Sequence, residues 1–78
     1  MKYFVYAISS LETKYLYVGL TKDINQRFYR HNKGWCKTTK FYSPFKLTFL
    51  IEVDDRITAR LLEQYFKSGC GKEFLKLV

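Results

Sequence analysis

The sequence predicts a small α+β domain: a three-stranded antiparallel sheet flanked by helices, in the order β-β-α-β-α-α. Three observations predict it. Two β-branched and aromatic runs, residues 3–8 and 15–20, stand either side of a six-residue loop, which is a hairpin signal. A third such run, residues 46–53, follows Pro44. Between and after these runs, apolar residues recur at helical spacing over Ile24–Asn32 and Arg56–Lys67. Mixed strands and helices in 78 residues make one domain, residues 1–78, near the lower size limit for an unstapled core.

The first run, YFVYAI, is apolar on both faces, so it is expected at the centre of the sheet. If the loop over residues 9–14 is symmetric, Tyr6 lies directly opposite Tyr17 on the second strand, and the two phenols share a face. A one-residue slip would put them on opposite faces. Asp23 is a suitable N-cap for the first helix, because its carboxylate can accept from the free N–H groups of the first turn. Gly34 supplies a stop. On this helix Ile24, Arg27, Phe28 and His31 share one face, while Gln26 and Tyr29 point elsewhere. A sheet-facing stripe with a guanidinium and an imidazole is unusual, since an unpartnered charge resists burial. Arg27 and His31 therefore either line a cleft or snorkel at the edge of the core.

Residues 34–44 mix Lys37 and Lys40 with Trp35, Phe41 and Tyr42. Cations between aromatics suit phosphate contacts and base stacking; the alternative is that these rings fold back onto the core. In the third strand Leu47, Phe49, Ile51 and Val53 alternate onto one face, with Leu50 on the other. Asp54 or Asp55 caps the second helix. Its apolar arc holds Ile57, Leu61, Leu62, Tyr65 and Phe66, with Glu63 at the margin. Gly69 and Gly71 break this helix, and residues 72–77 form a last short turn docked by Phe74, Leu75 and Leu77.

Fourteen Lys and Arg against seven Asp and Glu give a net charge of +7, which implies attraction to polyanions, nucleic acid first. No run is long enough to span a bilayer, and no secretory leader is expected. Cys36 and Cys70 form no metal-binding spacing and read as reduced thiols of a cytoplasmic protein. Walker, dinucleotide and H-E-x-x-H motifs are absent, and His31 is the one histidine, which excludes most triad and His-rich metal chemistry. Two tyrosines, an arginine, a histidine and a glutamate remain.

In that order these residues resemble the GIY-YIG endonuclease family, and the likeness covers nearly the whole chain. FVY (Phe4–Val5–Tyr6) stands for GIY, and YVG (Tyr17–Val18–Gly19) for YIG. Arg27 and His31 fall at the family's helix positions, and Glu63 at its metal-binding glutamate. The tail KSGCGKEFLK looks like that of small stand-alone bacterial members, related to the N-terminal nuclease domain of the excision-repair nuclease. The resemblance implies phosphodiester hydrolysis in DNA, structured or damaged, with one Mg²⁺ or Mn²⁺. It implies that Glu63 holds the metal, that Arg27 forks onto the scissile phosphate, and that Tyr17, with His31 or Tyr6, positions or deprotonates water. Lys22, Arg30, Lys33, Lys37 and Lys40 are the expected nucleic-acid contacts. The chain departs from the pattern at Phe4, at Leu20 after YVG, where Lys22 offers a nearby cation, and in having no asparagine after Glu63. A binding module of the same fold that has lost catalysis is the alternative, and a basic protein that targets another protein is the third.

Overall fold

The structure, a computed structural model, describes residues 2–76. Three strands, β1 (Tyr3–Ser10), β2 (Leu16–Thr21) and β3 (Phe45–Val53), form one antiparallel sheet in the order β2-β1-β3. Helices α1 (Ile24–Asn32), α2 (Arg56–Lys67) and α3 (Gly69–Lys76) complete the predicted sequence of elements, and both α1 and α2 have the predicted bounds. β1 is central, as its two apolar faces require. No helix among the described residues is long and apolar enough to cross a membrane.

The hairpin register differs from the symmetric-loop expectation. Ser9 and Ser10 belong to β1, and the loop is only residues 11–15, closed by Ser10 N–H donating to Tyr15 O at 2.9 Å. The Ser10 hydroxyl also accepts from the Glu12 and Thr13 amides, a local turn that draws both serines out of the loop. Tyr6 therefore faces Gly19, and Tyr17 faces Ile8. The offset is two residues, so Tyr6 and Tyr17 keep a common face as diagonal neighbours.

One face of the sheet carries Val5, Ala7 and Val18 under α2 and α3, packed with Ala59, Phe66 and Leu75. The other carries Tyr6, Ile8 and Phe45, packed with Tyr15, Tyr17, Tyr42 and, from α1, Ile24 and Phe28. A bulge between the Ala7 and Ile8 pairings, where Thr48 donates its hydroxyl to Ala7 O, breaks the alternation of β3. Phe49, Ile51 and Val53 stay on the α2 side as expected, whereas Leu47, opposite Ile8, joins the other face.

Two helix predictions need correction. The sheet-facing side of α2 is Ala59, Leu62, Glu63 and Phe66; Ile57, Leu61 and Tyr65 form an exposed stripe, with Ile57 76% exposed. An apolar arc that wide cannot all touch one sheet, and the small Ala59 lets this side approach closest. Glu63 thus lies within the buried side, not at its margin. The break after α2 falls at Ser68, whose hydroxyl donates to Tyr65 O and accepts from Gly71 N–H, while Gly69 and Gly71 lie inside α3. Leu75 docks in the core, and Phe74, 44% exposed, sets its ring against Phe49 and Phe66 with centroids 6.1 and 6.0 Å apart; Leu77 lies outside the described residues. Of the two candidate caps, Asp55 accepts from Thr58 N–H at 2.7 Å, and Asp54 pairs with Lys2.

Candidate functional site

The site begins at the turn from β2 into α1. Asp23 caps α1 as predicted, accepting from Gln26 N–H at 3.0 Å. This sets the helix so that Ile24 and Phe28 pack on the sheet while Arg27 and His31 lie over the tyrosines. At the other end Gly34, with φ 75°, donates to His31 O, and Trp35 N–H donates to Arg30 O. The paired bonds make a Schellman cap, which needs the left-handed conformation that glycine adopts freely.

His31 is 1% exposed and has a partner at each nitrogen: the Tyr6 hydroxyl at Nε2, 2.9 Å, and the Thr39 hydroxyl at Nδ1, 2.8 Å. Burial, then the nearby Arg27 charge, lowers its pKa to about 4, so the imidazole is neutral at pH 7. A neutral imidazole donates from one nitrogen and accepts at the other, so Tyr6, His31 and Thr39 form one continuous chain. Tyr6 is 0% exposed. Its phenol pKa is raised well above the usual range, by burial first and by Tyr17 second, with Arg27 opposing. Neither Tyr6 nor His31 lines an open cleft; both sit beneath the surface.

Tyr17 and Arg27 are only half-buried. The Tyr17 ring centroid lies 5.1 Å from that of His31 and 6.3 Å from that of Tyr6. Among the described residues its hydroxyl has no hydrogen-bond partner, so it is open to a ligand. Arg27 has no carboxylate partner among them either. Sequence reasoning thus found four residues that the fold brings together. It missed Thr39 and Phe45. Thr39 is fully buried in the polar run KTTK, and no periodicity there marks one threonine as internal. Phe45, which packs on the Tyr6 face with its centroid 6.0 Å from His31, sat just before the predicted strand.

Glu63 is placed apart. It lies on α2, on the opposite face of the sheet, and its carboxylate meets Arg60 at 3.6 Å and Lys67 at 3.4 Å. Among the described residues no hydrogen bond or ion pair joins it to Tyr6, Tyr17, Arg27 or His31, and no three His, Cys, Asp or Glu cluster as a metal cage. One hard oxygen donor still fits magnesium, which keeps several waters and takes substrate phosphate oxygens as further ligands. The expected nucleic-acid residues Lys22, Arg30, Lys33, Lys37 and Lys40 are all exposed. The loop aromatics divide between the two expected fates. Tyr42 folds back and stacks on Tyr15, 3.8 Å apart and 6° from parallel, whereas Trp35 is 62% and Phe41 80% exposed. A separate open cleft of about 800 Å³, lined by Lys14, Tyr15, Lys46 and Lys72 among others, contains none of the predicted site residues.

Fold and site define a class: a small α+β domain in which a tyrosine from each of two paired strands meets an arginine and a histidine from the next helix. Residues 2–73 match the family model described as GIY-YIG catalytic domain, and the chain belongs to that family. It is similar to UPF0213 protein SSP2268 of Staphylococcus saprophyticus, 31% identical over 78 residues, covering 99% of this chain and 94% of that protein. It is 36% identical over 67 residues to UPF0213 protein YsiG of Lactococcus lactis, covering 85% of this chain but only 64% of that protein's length. The solution NMR structure of UPF0213 protein BH0048 from Bacillus halodurans shares the fold, with a TM-score of 0.59 and 28% identity over 96% of this chain and 82% of that one.

Proposed function

We propose that the protein is a metal-dependent endonuclease that hydrolyses phosphodiester bonds in DNA. One observation carries this: Tyr6, Tyr17, Arg27 and His31 converge from two strands and a helix, and among the described residues the Tyr17 hydroxyl has no hydrogen-bond partner and the Arg27 guanidinium, beside the Tyr6 hydroxyl, has no carboxylate partner. Family membership and the net charge of +7 support it. Arg27 binds the scissile phosphate through its bidentate fork and stabilises charge on the phosphoryl oxygens. Tyr17 orients the attacking water by its hydroxyl. Tyr6 and His31 work from below: their hydrogen bond, continued to Thr39, fixes the ring against which Tyr17 rests. A neutral His31 adds no charge under the phosphate. Glu63 would hold a Mg²⁺ or Mn²⁺, which supplies Lewis-acid stabilisation of the phosphate.

A specific observation favours a second reading, a DNA-binding module without catalysis: the Glu63 carboxylate is engaged by Arg60 and Lys67. Supercoiled and branched DNA, incubated with magnesium, with manganese and with chelator, separates the two. Nicking that needs the metal is expected. Salt-sensitive DNA binding without nicking would leave the module, and no salt-sensitive binding would remove both.

A further inference from the structure

The structure holds exposed aromatic rings on anchored backbone beside the site, and nothing in the folded chain requires their exposure. Trp35 is pinned by its amide to Arg30 O, yet its indole is largely in solvent, edge-on to the half-exposed Tyr29 ring with centroids 5.7 Å apart. Phe41 sits on the 3₁₀ turn Lys40–Tyr42. That turn is held on one side by Thr39, bonded to His31, and on the other by Tyr42, stacked on Tyr15. Lysines accompany the rings: Lys33 Nζ lies 5.4 Å from the Tyr29 centroid and Lys40 Nζ 5.0 Å from that of Phe41. Lys37 is exposed between them in sequence. The same two residues, Arg30 and Thr39, tie this surface to the helix and histidine of the site.

We propose that this surface binds single-stranded DNA, with unpaired bases stacked on Trp35 and Phe41 and their phosphates drawn by Lys33, Lys37 and Lys40. Bases in a duplex have their faces covered by neighbours, so exposed rings gain only from an unpaired strand, and stacking of this kind is indifferent to sequence. The substrate of the proposed nuclease is then DNA with an unpaired segment beside the scissile bond. The inference rests on the nuclease reading only for the place of cleavage.

Trp35 is the single tryptophan, so its fluorescence reports on the stack directly. The full chain is titrated, in chelator, with an oligothymidylate, with an abasic oligomer of equal length and charge, with a duplex and with oligouridylate. Quenching by oligothymidylate is expected, with weaker binding of the abasic strand and the duplex. Read by the anisotropy of an end-labelled oligothymidylate, which does not need the tryptophan, Trp35→Ala or Phe41→Ala should weaken oligothymidylate binding on the order of tenfold, the size of a lost base stack, with duplex binding unchanged. Trp35→Phe should retain most of it. Equal affinity for the abasic strand, tighter duplex binding, or a complex without quenching would each overturn the proposal; tighter binding of oligouridylate would overturn the choice of DNA. Nicking without stacking would leave the nuclease reading standing alone, and stacking without nicking would do the reverse.

Discussion

Tyr6 and Gly19 face each other across β1 and β2, and the phenol ring occupies the space a side chain at position 19 would need: a Cβ there would stand 2.5 Å from Tyr6 Cζ. The glycine of YVG is thus required by the tyrosine of FVY. Gly19→Ala must move Tyr6, which is fully buried and hydrogen-bonded to His31. A loss of about 1–3 kcal/mol is expected, as for overpacking in a dense core. Urea denaturation of the variant measures it.

Stability should depend on pH through His31. Its folded pKa, about 4, lies below the ordinary 6.5, so between these values the unfolded chain binds the extra proton. The stabilising contribution is complete above pH 6.5 and falls as pH drops from 6.5 to 4. The loss is about 3 kcal/mol for a shift of this size. The parent should lose stability over this window while His31→Gln stays nearly flat. Equal unfolding free energies for the parent in denaturant titrations at pH 4.5 and 7 would refute the burial of a neutral imidazole.

Thr39 is expected to matter as much as a core residue. Thr39→Val preserves shape but leaves His31 Nδ1 buried without a partner. Leaving a buried polar atom unsatisfied costs about 1–3 kcal/mol. Thermal unfolding should show the loss, and Thr39→Ser should recover most of it.

Arg27→Ala should abolish cleavage with the fold intact, since the side chain is half-buried and has no carboxylate partner among the described residues. Lys at this position should restore little, because an ammonium lacks the fork. Nicking rates set beside circular dichroism decide it; a fully active alanine variant would remove Arg27 from the chemistry.

Glu63→Gln separates enzyme from binder. Cleavage should fall by orders of magnitude and magnesium affinity should drop, because the anionic ligand has gone. DNA binding in chelator should hold or rise slightly. Stability should fall by about 1 kcal/mol, since the carboxylate meets two cations from within the buried side of α2. Calorimetric magnesium titration beside nicking rates is the check, and identical curves for parent and variant would exclude Glu63 as the ligand.

Local chemistry was enough to place the elements. Asp23, Asp55 and Gly34 act within one or two turns of themselves, so α1 and α2 start and α1 stops where the sequence alone puts them. Helical spacing likewise put Arg27 and His31 on one face, and the period of two put Tyr6 and Tyr17 on one side of the sheet even with the register displaced by two. Tertiary packing decided the rest. Whether His31 lines a cleft or is sealed depends on Thr39, eight residues away through an irregular loop, and on Tyr6 from another element. Which side of the apolar arc of α2 is buried depends on close approach at Ala59, and this carried Glu63 inward beside Arg60 and Lys67. The bulge at Thr48 turned Leu47 to the other face. Spacing along a chain orders side chains on their own element, but burial and hydrogen-bond partners are set by surfaces that meet only after folding.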